Sequence, residues 1–240
     1  MRITGDPPPE VPLRMAAVCD GARDVYGRLF REGEDRVLAD VLVAVTGYSA
    51  FVPAKDEVVN VRIENCAYTY RTYSMTFGQR MDVINSDASI SYVPVLHGSR
   101  FTAVQVAVPA SKSGVELKTD PVRLYPQAPG QYLLGDYMMR TWMAAEVFVL
   151  KFPTHTVTGL DGRFRIEGIP VGDVNVDALL PAVDASESKK AAVRAGETTT
   201  VEFELTFNQA EYERKKEASA ARAASAAPRA SSAPDAPVLR

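Results

Sequence analysis

Apolar and polar positions alternate with a period of two through most of the first 207 residues. Val59, Val61 and Ile63 alternate with Asn60, Arg62 and Glu64, and Val104, Val106 and Val108 with Gln105 and Ala107. Val174 and Val176 alternate with Asn175 and Asp177, and Val201, Phe203, Leu205 and Phe207 with Glu202, Glu204 and Thr206. Each run predicts a strand with one face in a core and one in water. Val41-Leu42-Val43-Ala44-Val45 and Val147-Phe148-Val149-Leu150 are apolar on both faces, which predicts central strands. Pro129-Gly130 precedes a Tyr132–Leu134 strand, and Pro170, Gly172 and Ala195-Gly196 mark further turns. Asp161-Gly162, between Thr156-Val157-Thr158 and Arg163-Phe164-Arg165-Ile166, predicts a hairpin. Many short strands with regular turns predict an all-β sandwich.

The pattern changes after residue 208. Gln209 to Ala227 is rich in Ala, Glu, Lys and Arg, which predicts a helix, with Glu211 and Lys215 spaced for an i,i+4 pair. No apolar stripe is present to dock it. From Pro228 onward PRASSAPDAPVLR is too poor in apolar residues to fold alone. It is either a solvated tail or a segment that orders against a partner.

Composition narrows the function classes. The chain has 240 residues, 46% of them hydrophobic, with a formal net charge of -3. That balance argues against nucleic acid as a partner, because phosphate binding needs a basic surface. No apolar run reaches the roughly 18 residues of a membrane span. His97 and His155 are the two histidines, and Cys19 and Cys66 the two cysteines, which leaves little for a metal site. A Gly-rich phosphate loop and a Gly-x-Ser-x-Gly elbow are both missing. The opening MRITGDPPPEVPL lacks the apolar stretch of a signal peptide, so the chain is expected to be either cytosolic or a mature form without its leader.

Two stretches carry resemblances. THTVTGLDGRFRIEGIPVGDVNVDA, followed by VRAGETTTVEFELTF, resembles the carboxypeptidase-regulatory-like (transthyretin-like) β-sandwich, and VLADVLVAVTG fits the strand that precedes its Asp-Gly hairpin. About a hundred residues separate the pieces, which implies a second domain inserted in the first. IENCAYTYRTYSMTFGQRMDVINSD and GDYMMRTWMAAEVFVL resemble the cupredoxin unit of bacterial extracytoplasmic plastocyanin-like or methylamine-utilisation proteins. KFPTHTVTGLDGRF matches the register in which that unit runs into the Asp-Gly hairpin, and ITGDPPPEVPLRMAAVCDG resembles the family's opening. The expected organisation is a discontinuous regulatory-like sandwich at 1–48 and 150–207, a cupredoxin-like Greek-key sandwich at 49–149, and a helical or disordered tail at 208–240.

The resemblance also implies what is lost. A type 1 copper site needs two imidazoles and a thiolate in a plane, with a weak axial thioether. Here the imidazole positions fall on Arg71, Ser91, Pro94, Arg140 and Phe152, and the thiolate position on Tyr137; only Met143, beside Trp142, keeps a ligand's chemistry. The implied protein has no metal and no cofactor. Cys19 and Cys66 both match family cysteines, which implies a disulfide, an oxidising periplasmic or extracytoplasmic compartment and a removed leader.

The functional expectation is a non-catalytic structural or protein-binding subunit. Its partners would be other protein subunits, in a cytochrome-containing or other membrane-bound electron-transfer complex. Tyr70, Arg71, Tyr73, Tyr137, Arg140 and Trp142 are of the types enriched in interface hot spots; alternatively Trp142 and Met143 are core and the arginines solvated. A second reading is a copper electron carrier with an atypical site of Met138, Met139, Met143 and His97 or His155, since clustered thioethers hold Cu(I). A third is a carbohydrate- or surface-binding module using Tyr68, Tyr70 and Tyr73.

Overall fold

The computed structural model describes residues 1–226 except 55, 89, 99–101, 104–120 and 139. The strand expected at Val104–Val108, Met139 and the segment from Pro228 lie outside the described residues. Residues 1–207 form one compact unit and residues from Asn208 onward another.

The strands follow the alternation. In chain order they are β1 (Arg2–Gly5), β2 (Leu42–Thr46), β3 (Val58–Glu64), β4 (Ala67–Tyr68), β5 (Thr72–Thr76), β6 (Arg80–Asn85), β7 (Pro94–Gly98), β8 (Thr102–Ala103), β9 (Val122–Leu124), β10 (Gly130–Asp136), β11 (Ala144–Leu150), β12 (His155–Val157), β13 (Gly172–Leu180), β14 (Ala185–Val193) and β15 (Glu204–Phe207). A short helix, α1, spans Arg23–Tyr26, and α2 spans Gln209–Ala226. The fold is all-β with a C-terminal helix.

One four-stranded sheet runs β12-β2-β13-β14. Val41, Leu42, Val43 and Val45 are buried, as a doubly apolar central strand requires. The chain leaves this sheet after β2 and returns to it at β12, where His155 pairs Ala44. Between the two it builds a sandwich of two sheets, β4-β3-β6-β9 and β5-β11-β10-β7-β8. β3 lies parallel to β6, and β5 parallel to β11. Its core holds Val61, Ile63, Tyr68, Tyr73, Met75, Met81, Val83, Leu96, Leu134, Met143, Val147 and Val149. β1 and β15 form a separate parallel pair, and Phe207 meets Phe30 edge-on at 5.1 Å.

The Asp161-Gly162 hairpin does not form. The turn itself is present: Gly162 N–H donates to the Gly159 carbonyl at 3.0 Å, and Gly162 has φ +64°. A Cβ there would meet Val37 Cβ at 2.7 Å, so the turn needs glycine twice over. Arg163–Ile166 nevertheless joins no ladder. Among the described residues β12 pairs only with β2, and Phe164 packs its ring on Phe203, ring centres 6.2 Å apart.

α2 is described by itself. Its residues are exposed apart from Tyr212, whose exposure is intermediate, as far as their side chains are described. Asn208 Oδ1 accepts the Glu211 N–H at 2.9 Å as an N-cap, and Lys215 meets Glu211 at 2.8 Å.

Candidate functional site

The loops at one end of the sandwich are cross-braced by two acids, the partly buried Asp87 and Asp136. β3 turns into β4 through Asn65 and Cys66, both with positive φ, +52° and +59°. Asp87 caps that turn: its carboxylate accepts the N–H of Asn65 at 2.7 Å and of Cys66 at 3.0 Å, and also the Tyr92 hydroxyl. Asn85 holds the same loop by donating to the Ile90 carbonyl at 2.8 Å and accepting Asp87 N–H at 2.9 Å. The Asn85-Ser86-Asp87 stretch therefore serves loop architecture. Burial and the adjacent Asp87 carboxylate hold the Tyr92 phenol far above its ordinary range.

Asp136 ends β10 with a fully buried side chain. It accepts Val93 N–H at 2.7 Å and the Arg140 guanidinium at 2.5 Å. Arg140 lies over the Tyr92 ring, 4.6 Å from its centre. A cation between a carboxylate and an aromatic face is held on both sides. Arg140 in turn presents its carbonyl to Met143 N–H at 2.9 Å.

The expected ligand positions divide sharply. Met143 is 1% exposed, inside the core. Pro94 is buried at the start of β7, and Ser91 is exposed. Tyr137 and Met138 project from the turn after β10, at 65% and 54% exposure. Phe152 is exposed and meets Tyr48 edge-on at 5.9 Å. Arg71 lies elsewhere from Arg140: its N–H donates to Asp40, its guanidinium to the Arg28 carbonyl at 2.9 Å, and it lies 5.9 Å from the Tyr26 ring centre. Each arginine is thus held by its own carboxylate and ring contacts.

Of the atypical copper set, Met139 lies outside the described residues, and Met143 and His155 stand apart. Met143 lies just before β11, level with the start of β5, because Glu146 pairs with Thr72. His155 bonds Thr76 at the other end of β5, about 13 Å along the strand. Both its ring nitrogens are engaged, Nδ1 with Ser74 Oγ at 2.8 Å and Nε2 with Thr76 Oγ1 at 3.1 Å. Burial lowers its pKa to about 4, so the ring is neutral at physiological pH. His97 is exposed on β7. Among the described residues, no cluster of three or more His, Cys, Asp or Glu is arranged to hold a metal ion.

Cys19 and Cys66 form a disulfide, Cα atoms 5.2 Å apart. Trp142 Nε1 donates to the Cys66 carbonyl at 3.2 Å, so this half-buried ring packs on the bridge. Of the three tyrosines expected on one face, Tyr68 is fully buried and bonds the Gly135 carbonyl at 2.8 Å, and Tyr73 is 5% exposed. Tyr73 therefore belongs to the core and not to an accessible contact surface. Tyr70 is 43% exposed and rests edge-on against Tyr73.

Sequence reading missed Arg31 and Asp40. Arg31 meets the buried Asp40 carboxylate through Nε at 2.6 Å and Nη2 at 2.7 Å, and donates to the Thr69 carbonyl at 3.3 Å. Burial works against the guanidinium's charge, but the Asp40 carboxylate outweighs it and raises the Arg31 pKa. The pair fastens the N-terminal segment to the start of β5, where Arg71 N–H adds a third bond to Asp40 at 2.9 Å.

No protein family and no curated protein matches the chain. Among solved structures, amicyanin from Paracoccus versutus is 16% identical, covering 45% of this chain and 96% of its own, with a TM-score of 0.31. The copper-containing nitrite reductase of Thermus scotoductus is 15% identical, covering 43% of this chain and 24% of its own, with a TM-score of 0.30. These likenesses concern the fold alone. The disulfide fits an oxidising, extracytoplasmic compartment. No helix among the described residues is long and apolar enough to cross a membrane.

Proposed function

We propose that this chain is a non-catalytic structural or protein-binding subunit of a periplasmic or membrane-associated electron-transfer assembly. In this reading residues 49–149 are a cupredoxin-like unit without copper, set in a carboxypeptidase-regulatory-like sandwich of residues 1–48 and 150–207. The observation that carries it is what occupies the positions of a copper site. Met143 is core, Arg140 is clamped between Asp136 and Tyr92, and the turn from Asp136 to Arg140 shows Tyr137 and Met138 to solvent. The loop is braced without a metal, and its exposed side chains are of the kind that anchor interfaces. Partner subunits containing cytochromes follow from the resemblance of the sequence to redox proteins.

Two measurements test this. After incubation with excess Cu(I) or Cu(II) and dialysis, the protein holds well under one copper per chain and shows no absorption near 600 nm, roughly where thiolate-to-copper charge transfer falls. The wild-type chain captures a c-type cytochrome-containing complex from native membranes, and Tyr137→Ala with Met138→Ala weakens that capture at least tenfold. One tightly held copper per chain, or capture indifferent to both substitutions, overturns the reading.

A further inference from the structure

Among the described residues, one flank of the sandwich stands open between its two sheets, bordered by β3 on one side and β5 on the other. In a parallel ladder, alternate residues turn both main-chain groups to the neighbouring strand. The bond from Glu146 N–H to the Arg71 carbonyl, 2.8 Å, sets Arg71, Tyr73 and Met75 toward β11. Thr72, Ser74 and Thr76 therefore turn their N–H and C=O groups outward. The bond from Arg80 N–H to the Glu57 carbonyl, 3.0 Å, likewise sets Glu57, Val59 and Val61 toward β6. Val58 and Asn60 turn outward, beyond the end of β4, which pairs only with Ile63 and Glu64.

A single amide already joins the two edges. Gln79 Oε1 accepts the outward Thr76 N–H at 2.5 Å, and its Nε2 donates to the Asp56 carbonyl at 2.7 Å. This side chain does what a peptide group of an added strand would do. At the other end Thr69 N–H closes the flank on the Arg62 carbonyl at 3.1 Å. Between those closures Asn60, Thr72 and Ser74 line a cleft of about 440 Å³, together with Asp56, Tyr70 and His155. The cleft falls in the range of ligand sites, roughly 300–1,000 Å³. The open stretch spans three to four strand residues, about 10–13 Å.

We propose that this cleft binds a short extended peptide segment of another protein, which adds main-chain hydrogen bonds to the open edges where Gln79 leaves off. Recognition of this kind takes its affinity from the backbone and its selectivity from the alternate side chains. Hydroxyls of Thr76 and Thr156 and the neutral ring of His155 line the cleft beside the apolar Val52, Val59 and Ile166, so the segment carries small apolar or hydroxyl side chains. It is uncharged or basic. Arg165 is paired with Glu167 at 2.7 Å, and the Asp56 carboxylate forms no ion pair among the described residues. The site is distinct from the Tyr137–Met138 turn, so each reading can fail alone.

The probe is a displayed library of random heptapeptides panned against the full chain. Enriched sequences are then synthesised in two forms, unmodified and with alternate backbone nitrogens methylated. The expected result is at least tenfold slower amide exchange at Ser74 and Asn60 on binding, and at least tenfold weaker binding by the methylated form. Ser74→Pro removes the outward N–H, which an edge strand tolerates, together with the Ser74 Oγ bond to His155; it should weaken binding tenfold, while Ser74→Ala, which loses the same hydroxyl but keeps the N–H, does not. Asn60→Pro reads the same property should Ser74→Pro not fold. Tyr137→Ala leaves peptide binding unchanged. The proposal is overturned if no sequence is enriched, if the methylated peptides bind equally well, or if exchange at both residues is unaltered. It is also overturned by self-association of the chain that Ser74→Pro abolishes, since the occupant would then be a second copy.

Discussion

At the scale of single residues, the charged groups of this protein are spent on holding loops. Asp40, Asp87 and Asp136 each accept two or more hydrogen bonds, and all three lie where main-chain N–H groups would otherwise be unsatisfied. His155 is the group whose titration can be read. Its folded pKa is about 4, against about 6.5 in an unfolded chain. The depressed value means that the unfolded state binds the proton first. The stability tied to the neutral ring is whole above pH 6.5, falls as pH drops through that window, and is fully lost below pH 4. The shift corresponds to about 3 kcal/mol at most. Denaturant unfolding at steps from pH 7 to pH 4 should show a loss of that order, and His155→Asn should remove most of the slope between pH 6.5 and 4. A variant with the wild-type slope would show that the ring is not the source.

At the scale of elements, strands were legible wherever apolar positions alternate against a single core, as in β3 and β13, or run continuously through a central strand, as in β2 and β11. The Asp161-Gly162 turn was legible too, but its second arm was not. Phe164 and Ile166 alternate as a strand would, but alternation fixes only which face a side chain takes, and Phe164 takes up a ring contact with Phe203, about 40 residues away, which a local pattern cannot show. The site was legible in a narrower way. The mismatched ligand positions could be named from the residues, but not the clamp on Arg140, which needs Asp136 and Tyr92 brought together. The Arg31–Asp40 pair carried no pattern that a linear reading could detect. The tail follows its composition, for α2 forms with its cap and its Glu211–Lys215 pair and no apolar stripe. Truncation after Asn208 should therefore shift the melting temperature of the remaining chain by less than about 2 °C, under 1 kcal/mol for a chain of this size. A fall of more than a few degrees in a thermal melt would make α2 part of the folding unit.

At the scale of the whole molecule, the disulfide joins the two parts of the fold that the chain's connectivity separates. Cys19 sits in the segment that leads to α1, and Cys66 in the turn between β3 and β4, 47 residues away. Closing a loop of that length limits the unfolded chain by about 4 kcal/mol in the entropy model. The turn at Cys66 has other supports, because the Asp87 carboxylate and the Trp142 indole bond its backbone and neither needs the sulfur. The N-terminal segment is tied to itself by Val11 N–H to the Gly27 carbonyl and Leu29 N–H to the Pro9 carbonyl, both 2.9 Å, and its ties to the sandwich besides the bridge all fall at residues 26–31: the Tyr26 hydroxyl accepts Tyr68 N–H at 3.2 Å, the Arg28 carbonyl accepts from Arg71, and Arg31 meets Asp40 and the Thr69 carbonyl. Replacing both cysteines by alanine should thus lower the melting temperature by roughly 8–16 °C, at about 2–4 °C per kcal/mol for this length. The loss should be uneven. Amide exchange should quicken first through residues 10–30, while the amides of Asn65 and Cys66 (now alanine) keep their protection from Asp87. Equal acceleration at both places would mean that the bridge holds the turn itself, and an unchanged melting temperature would mean that the bonds of Tyr26, Arg28 and Arg31 alone fasten the N-terminal segment to the sandwich.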